Sequence, residues 1–264
     1  MKRKVLIAIA SMMLLSSCQQ EDILETTPTS QYEEALEEDS YVCTELDYFE
    51  DDITDNELRG ALLKSNKWPN GSVIKVKFLN GSSYLQNKVK KYAAQWSAHA
   101  NIKFQFVASN KNADIKVAFK WKGDEGSWSY LGTYCKSIAQ NKPSMNFGWF
   151  TTKTAENEFS RTILHEFGHA LGLVHEHEHP KNTIKWNKSV VYSYYKKTQG
   201  WSKAKVDANI FHKYSTGQTN YSAYDKYSIM HYSIPKAHTT NGYSVGWNRV
   251  LSSKDKAFIR QQYK

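Results

Sequence analysis

The sequence predicts an α+β fold. Three observations carry that expectation: short apolar alternations of strand type, two long stretches of helical periodicity, and a second half with little of either until a final helix. At 264 residues, 23% charged and 40% hydrophobic, the chain is neither disordered nor a multi-span membrane protein. It is long enough for one large domain or two small ones.

The elements are taken in chain order. Pro69-Asn70-Gly71 reads as a turn after Trp68, and Val73, Ile74, Val76 and Phe78 read as a strand bounded by Asn80-Gly81. Ser82 or Ser83 can cap a helix running to about His99, with Leu85, Val89, Tyr92, Ala93 and Trp96 on one face. Ile102, Phe104 and Phe106 alternate as a second strand, and Ile115, Val117 and Phe119 as a third. The Gly- and Trp-rich stretch from Lys122 to Gly132 reads as loop, and Ser144 to Phe150 as a short strand. A longer helix is expected from about Asn157 to Leu171, a short one near Asn187–Lys197, and a last one from about Ser253 to Gln262.

Charge divides the chain. The net charge is +9, yet residues 19–59 hold 15 of the 26 acidic residues and only Arg59 as a base, a net of −14. Residues 60–264 carry +20. An acidic segment fused to a basic body suggests a detachable mask. Ahead of it, Lys2, Arg3 and Lys4 precede an apolar run from Val5 to Leu15, too short for a stable transmembrane helix and of signal-peptide length. Leu15-Ser16-Ser17-Cys18 resembles a bacterial lipobox with Cys18 as the acylated residue; ordinary signal cleavage is the alternative. The reading is therefore a signal peptide at 1–17, an acidic propeptide at 18–59 that a lipid on Cys18 would tether, and a globular body at 60–264. Either way the protein is exported, secreted or with a precursor that could be a surface lipoprotein. Arg59-Gly60 is an exposed-looking site for an activating protease, with Lys64 and Lys67 as alternatives.

The chemistry lies in residues 165–175, His-Glu-Phe-Gly-His-Ala-Leu-Gly-Leu-Val-His. On a helix, His165 and His169 share a face. Gly172 can take a positive φ and turn the chain sharply, which brings His175 back as a third imidazole. Three histidines suit one Zn²⁺ and leave a fourth position open, the pattern of a catalytic site. Glu166 is placed to take a proton from water at that position and deliver it to a leaving amine. The three-ligand set leaves His177 and His179 expected on the surface.

The extended motif resembles that of the metzincin proteases. Tyr227-Ser228-Ile229-Met230-His231-Tyr232, about 55 residues downstream, resembles the methionine turn of the astacin family. Gly126-Ser127-Trp128-Ser129-Tyr130-Leu131-Gly132 is similar to that family's Gly-Cys-Trp-Ser-Tyr-x-Gly segment, and Leu251-Ser252-Ser253-Lys254-Asp255 to its C-terminal end. The likeness covers roughly residues 68–264 and points to bacterial astacins of the flavastacin and myroilysin kind. It implies a metzincin-type fold: an N-terminal twisted mixed sheet with two long helices, and a mostly irregular C-terminal subdomain with a final helix. It implies Met230 as the floor under the metal, and Tyr232 as a resting zinc ligand that swings to the oxyanion during catalysis. It also implies that Glu176 receives the new N-terminus after activation. Two departures stand out: Ser127 replaces the segment's cysteine, and His177-Glu178-His179-Pro180-Lys181-Asn182 replaces the family's Arg-x-Asp-Arg-Asp stretch.

Tyr48-Phe49-Glu50-Asp51-Asp52-Ile53 resembles the family's Phe-x-Gly-Asp propeptide motif, with Asp52 at the aspartate that blocks zinc. Cys43 is the preferred latent-state ligand, since a thiolate binds zinc well. A Cys43–Cys135 disulfide is the competing use of that thiol. The expected activity is a zinc endopeptidase acting on proteins or peptides, with the strand near Ser144–Phe150 lining the cleft. The alternative is a non-catalytic basic surface-binding protein with a zinc site. Its basic body and eight tryptophans favour it, but the chain has no nucleic-acid motif. A monomer is expected.

Overall fold

The computed structural model describes residues 66–215, 220 and 222–264, together with the strand Cys43–Leu46. The expected signal segment 1–17, Cys18, Asp52 and the expected cleavage site at Arg59 lie outside the described residues. Among the described residues no helix is long and apolar enough to cross a membrane.

Among the described residues six strands form one mixed sheet: β1 (Cys43–Leu46), β2 (Val73–Phe78), β3 (Lys103–Phe106), β4 (Ile115–Phe119), β5 (Ser127–Tyr130) and β6 (Met145–Phe147). Their order is β1-β5-β6-β4-β2-β3. β2, β3, β4 and β6 are parallel, β5 is antiparallel to β6, and β1 runs parallel to β5 from Cys43 opposite Ser127 to Leu46 opposite Tyr130. The 122–132 stretch thus contains a strand where loop was expected. Its four residues are too short, and too rich in serine, to announce themselves by apolar alternation. The strand at 145–147 is also not the sheet's edge, because β5 lies outside it; the cleft-lining expectation moves from 144–150 to β5.

β4 is buried along its whole length, Lys116 included. It sits between β2 and β6. The Lys116 ammonium donates to the carbonyls of Asp114 (2.9 Å) and Cys135 (2.5 Å), which supply the polar contacts a buried lysine needs. Cys135 itself is a buried free thiol, pushed up to about 12 chiefly by burial. The disulfide alternative with Cys43 therefore falls.

Two long helices share a core with the sheet. α1 (Ser83–Ser97) is capped by Ser82 and buries Leu85, Val89, Tyr92, Ala93 and Trp96, the face expected from periodicity. α2 (Glu156–Ala170) is buried continuously from Phe159 onward. Wrapped by other elements, it exposes no face to solvent from Phe159 onward, and its polar residues there are buried too. The Trp96 indole N–H donates to Leu164 O at 2.9 Å, and Phe104 of β3 meets Phe167 edge-on with ring centres 5.0 Å apart. At the start of α2, Glu156 receives Lys88, Lys91 and the Tyr92 hydroxyl. These contacts fix the long axis of α2 against α1.

The second half has α3 (Lys188–Gln199), α4 (Lys203–Val206) running into a π-helical turn at Asp207–Phe211, and α5 (Ser253–Gln262) with a capping box between Ser252 and Asp255. A small core of Val191, Tyr195, Val206, Ile210 and Tyr232 holds α3 and α4 together.

Trp96→Phe keeps an aromatic in the core but deletes the bond to Leu164 O and leaves a gap. The expected loss is about 1–4 kcal/mol of unfolding free energy, read as a lower urea midpoint at unchanged slope.

Candidate functional site

α2 carries His165 and His169 one turn apart, and the exit of the chain from α2 decides whether His175 can join them. Gly172 has φ +88°, in the left-handed region. Its N–H donates to His169 O at 2.7 Å and that of Leu173 to Gly168 O at 3.0 Å, which together form a Schellman cap. The last turn is held from outside as well. The Trp68 indole donates to Ala170 O and the Tyr263 hydroxyl to Leu171 O, each at 2.8 Å. Residues from both ends of the described domain thereby lock the turn that sends the chain back to His175.

The three imidazoles converge. Their Nε2 atoms lie 3.1 Å (His165–His169), 3.2 Å (His169–His175) and 3.2 Å (His165–His175) apart, and all three rings are buried. His165 Nδ1 lies 2.9 Å from Ile229 O and His169 Nδ1 lies 2.8 Å from Leu173 O. A carbonyl can only accept, so in both rings Nδ1 carries the proton and Nε2 presents a bare lone pair. Burial holds all three rings below the usual histidine range, His169 at about 4. They are neutral at pH 7. Two facing lone pairs at 3.1 Å repel each other unless a cation lies among them, so the residues fit a metal ion.

Glu166, next to His165, is fully buried. Met230 sits under α2: a Cβ placed on Gly168 would stand 2.3 Å from Met230 Sδ, so only glycine admits the thioether there. Tyr232 is nearly buried, with its ring 4.3 Å from that of His175 and stacked on His177 at 4.5 Å. The structure thus brings together His165, His169, His175, Glu166, Met230 and Tyr232. Cys43 lies in β1, paired in the sheet to Ser127 of β5.

His177 and His179 are not on the surface. Both are buried, His177 donating Nε2–H to Asn209 O at 2.8 Å and His179 to Ser222 O at 3.0 Å. Burial pushes His177 down to about 3. Counting ligands suggested solvent for them. In fact Asn209 and Ser222, from later in the chain, pack over the segment after His175, which local periodicity does not reveal. Ser127 is also buried, its hydroxyl accepting from Gly148 N at 3.2 Å where the family segment has a cysteine.

Sequence reasoning missed the carbonyls of Ile229 and Leu173, since any residue supplies one. It also missed the carboxylate of Glu178, whose Oε2 lies 3.7 Å from His175 Nδ1. A cavity of about 90 Å³ lies behind the triad. Its lining includes His175, Glu176, Met230, Asp255 and Lys67, but not His165, Glu166 or His169. Burial raises the Glu176 carboxyl to about 8, and its Oε1 accepts from Asp225 N at 2.7 Å.

The profile described as Astacin (Peptidase family M12A) matches residues 61–264. Among solved structures, "Structure of myroilysin" is 55% identical, covers 76% of this chain and 97% of its own, and has a TM-score of 0.74. "Crystal structure of myroilysin" is 51% identical over 84% of this chain and 90% of its own, with a TM-score of 0.60. The hatching-enzyme zinc protease High choriolytic enzyme 1 of the medaka fish Oryzias latipes is similar in fold only, at 18% identity, 74% and 93% coverage and a TM-score of 0.50. No curated protein matches the chain.

Gly168→Ala is expected to push Met230 aside and lower stability by about 1–3 kcal/mol. In a double-mutant cycle with Met230→Ala the two losses should be clearly less than additive, because the smaller side chain removes the clash; additive losses would place the strain elsewhere.

Proposed function

The chain belongs to the astacin family of zinc metalloendopeptidases, and from that premise we propose that it is an exported endopeptidase made as a latent precursor, with His165, His169 and His175 holding its single zinc ion. The observation that carries the reading is the 3.1 Å approach of two proton-free imidazole nitrogens beside a buried glutamate. Family membership disposes of the non-catalytic binding protein.

When bound, zinc supplies a Lewis acid for the scissile carbonyl and lowers the pKa of water towards about 7. The rest falls to the chain. The Ile229 and Leu173 carbonyls hold two ligand rings in the tautomer that offers Nε2. Glu166, directly after His165, takes a proton from the attacking water and returns it to the leaving amine. The Tyr232 hydroxyl would be a further ligand of the resting ion and would donate to the developing oxyanion during catalysis. Met230 packs beneath as an apolar floor. An extended substrate adds to the backbone of β5, the strand that β1 now pairs.

That pairing supports latency by occupancy. Residues 43–46 lie where a substrate strand would add, and Cys43 in that segment is the proposed group that blocks the metal, with Asp52 as the alternative. Cleavage near Arg59 would remove β1, and with it any lipid carried on Cys18. The new N-terminus could then reach Glu176 in the cavity behind the triad. Proteins or peptides are the substrates, no specific nucleic acid is bound, the only membrane attachment is a lipid on Cys18, and the enzyme acts as a monomer.

The test compares quenched-peptide hydrolysis by zinc-matched, trypsin-activated variants with trypsin then inhibited. Glu166→Ala should lose about 10³-fold or more in kcat, and Tyr232→Phe about 10²-fold with little change in KM. Wild-type rates in Glu166→Ala would remove it as the base. For latency, zinc-edge spectroscopy of the precursor should show a sulfur neighbour that disappears in Cys43→Ser; its absence from the wild-type precursor would return the role to Asp52.

A further inference from the structure

Asp255 lies far along the chain from the triad, at the third position of α5, yet it meets the methionine turn directly. Its Oδ1 accepts from the Ser228 hydroxyl at 2.6 Å and its Oδ2 from Ile229 N at 2.8 Å. Oδ2 also accepts from Ser252 N at 2.9 Å, while the Asp255 N–H donates to the Ser252 hydroxyl at 2.9 Å. The same Ser228 hydroxyl accepts from Met230 N at 3.1 Å. One carboxylate, itself buried, therefore grips two consecutive residues of the turn. The second of these, Ile229, is the residue whose carbonyl accepts from His165 Nδ1 at 2.9 Å. The clamp is braced in turn. The Ser252 hydroxyl donates to Asp225 Oδ2 at 2.6 Å, Asp225 N to Glu176 Oε1 at 2.7 Å, and Glu176 N to Met230 O at 3.0 Å. The hydrogen bonds close a ring that returns to the methionine turn.

We infer that Asp255 is a positioning residue of the metal centre, fixing the Ile229 carbonyl and through it the ring of His165, so that the capping box of the last helix sets how firmly the metal is held. This rests on the proposed assignment of His165 as a zinc ligand. The reasoning is geometric. A ligand imidazole is aimed by whatever holds its second nitrogen. For His165 that group is a backbone carbonyl, which is only as rigid as its peptide. Nothing in the regular secondary structure holds residues 228–230, because the segment is a turn. Both described bonds from the side chains of α5 into that turn come from Asp255. Asparagine in its place keeps the size and an acceptor for the backbone N–H groups, whereas alanine removes both anchors.

The experiment measures zinc release from the zinc-loaded full chain into excess chelator, with zinc content determined at the start, and kcat and KM after activation. Asp255→Ala should release zinc about 10–100-fold faster and lower kcat with KM nearly unchanged, while Asp255→Asn stays within about threefold of wild type. Ser228→Ala leaves the helix cap intact and removes one anchor, so it reports even if Asp255→Ala fails to fold; it should release zinc several-fold faster. Ile259→Ala, in the same helix but in the apolar core, is the control for lost stability and should leave zinc release unchanged at temperatures well below its Tm. Wild-type release rates in Asp255→Ala or Ser228→Ala would overturn the inference, as would equal acceleration by Ile259→Ala. A wild-type chain that takes up no zinc would overturn the zinc assignment as well, and so is distinguishable from failure of the clamp alone.

Discussion

Three imidazole nitrogens that converge within 3.2 Å of one another make a demanding arrangement for a protein interior, and much of the fold is arranged around supporting it. Each ring must be neutral, must show its lone pair to the same point, and must be kept from rotating away. Burial secures the first condition. The second and third depend on what each Nδ1 meets: for His165 a carbonyl of the methionine turn, for His169 a carbonyl of the helix cap, for His175 the neighbourhood of Glu178. The three imidazoles come from one short motif, but the groups that aim them come partly from that motif and the residues just after it, and partly from the methionine turn more than 50 residues on.

This explains why α2 is packed so heavily. Sheet, α1, Trp68 and Tyr263 all converge on it. A helix that slid or rolled by a fraction of a turn would separate His165 and His169 from the returning His175. The Schellman cap at Gly172 turns the chain, and the indole and phenol bonds to the last carbonyls keep that turn from fraying. The positive φ is a local property of one glycine; its direction in space is set by residues from the beginning and end of the domain.

The sheet edge shows a related division. β5 is short and serine-rich, and it would be a poor strand by itself. It is stabilised by antiparallel pairing to β6 on one side and by β1 on the other. An edge that accepts one extended segment can accept another. The pairing that completes the sheet here is also the feature that links the acidic upstream region to the proposed path of a substrate.

The sequence by itself determined the elements whose information is local. The α1 face from Leu85 to Trp96, the start of α5 at its capping box, and the spacing of His165, Glu166 and His169 on one helix all arise from periodicity and side-chain chemistry within a few residues. The positive φ at Gly172 belongs here too, because glycine is the residue that tolerates it. Only the tertiary structure decided the rest. Burial of His177, His179 and Lys116 depends on covering segments distant in sequence, and the place of β5 between β1 and β6 depends on partners that a four-residue strand does not encode. The aiming of His165 passes through a backbone carbonyl and then an aspartate 90 residues further on. Backbone groups have no sequence signature and hydrogen-bond partners are chosen by proximity in space, so this part of the site exists only once the chain has folded.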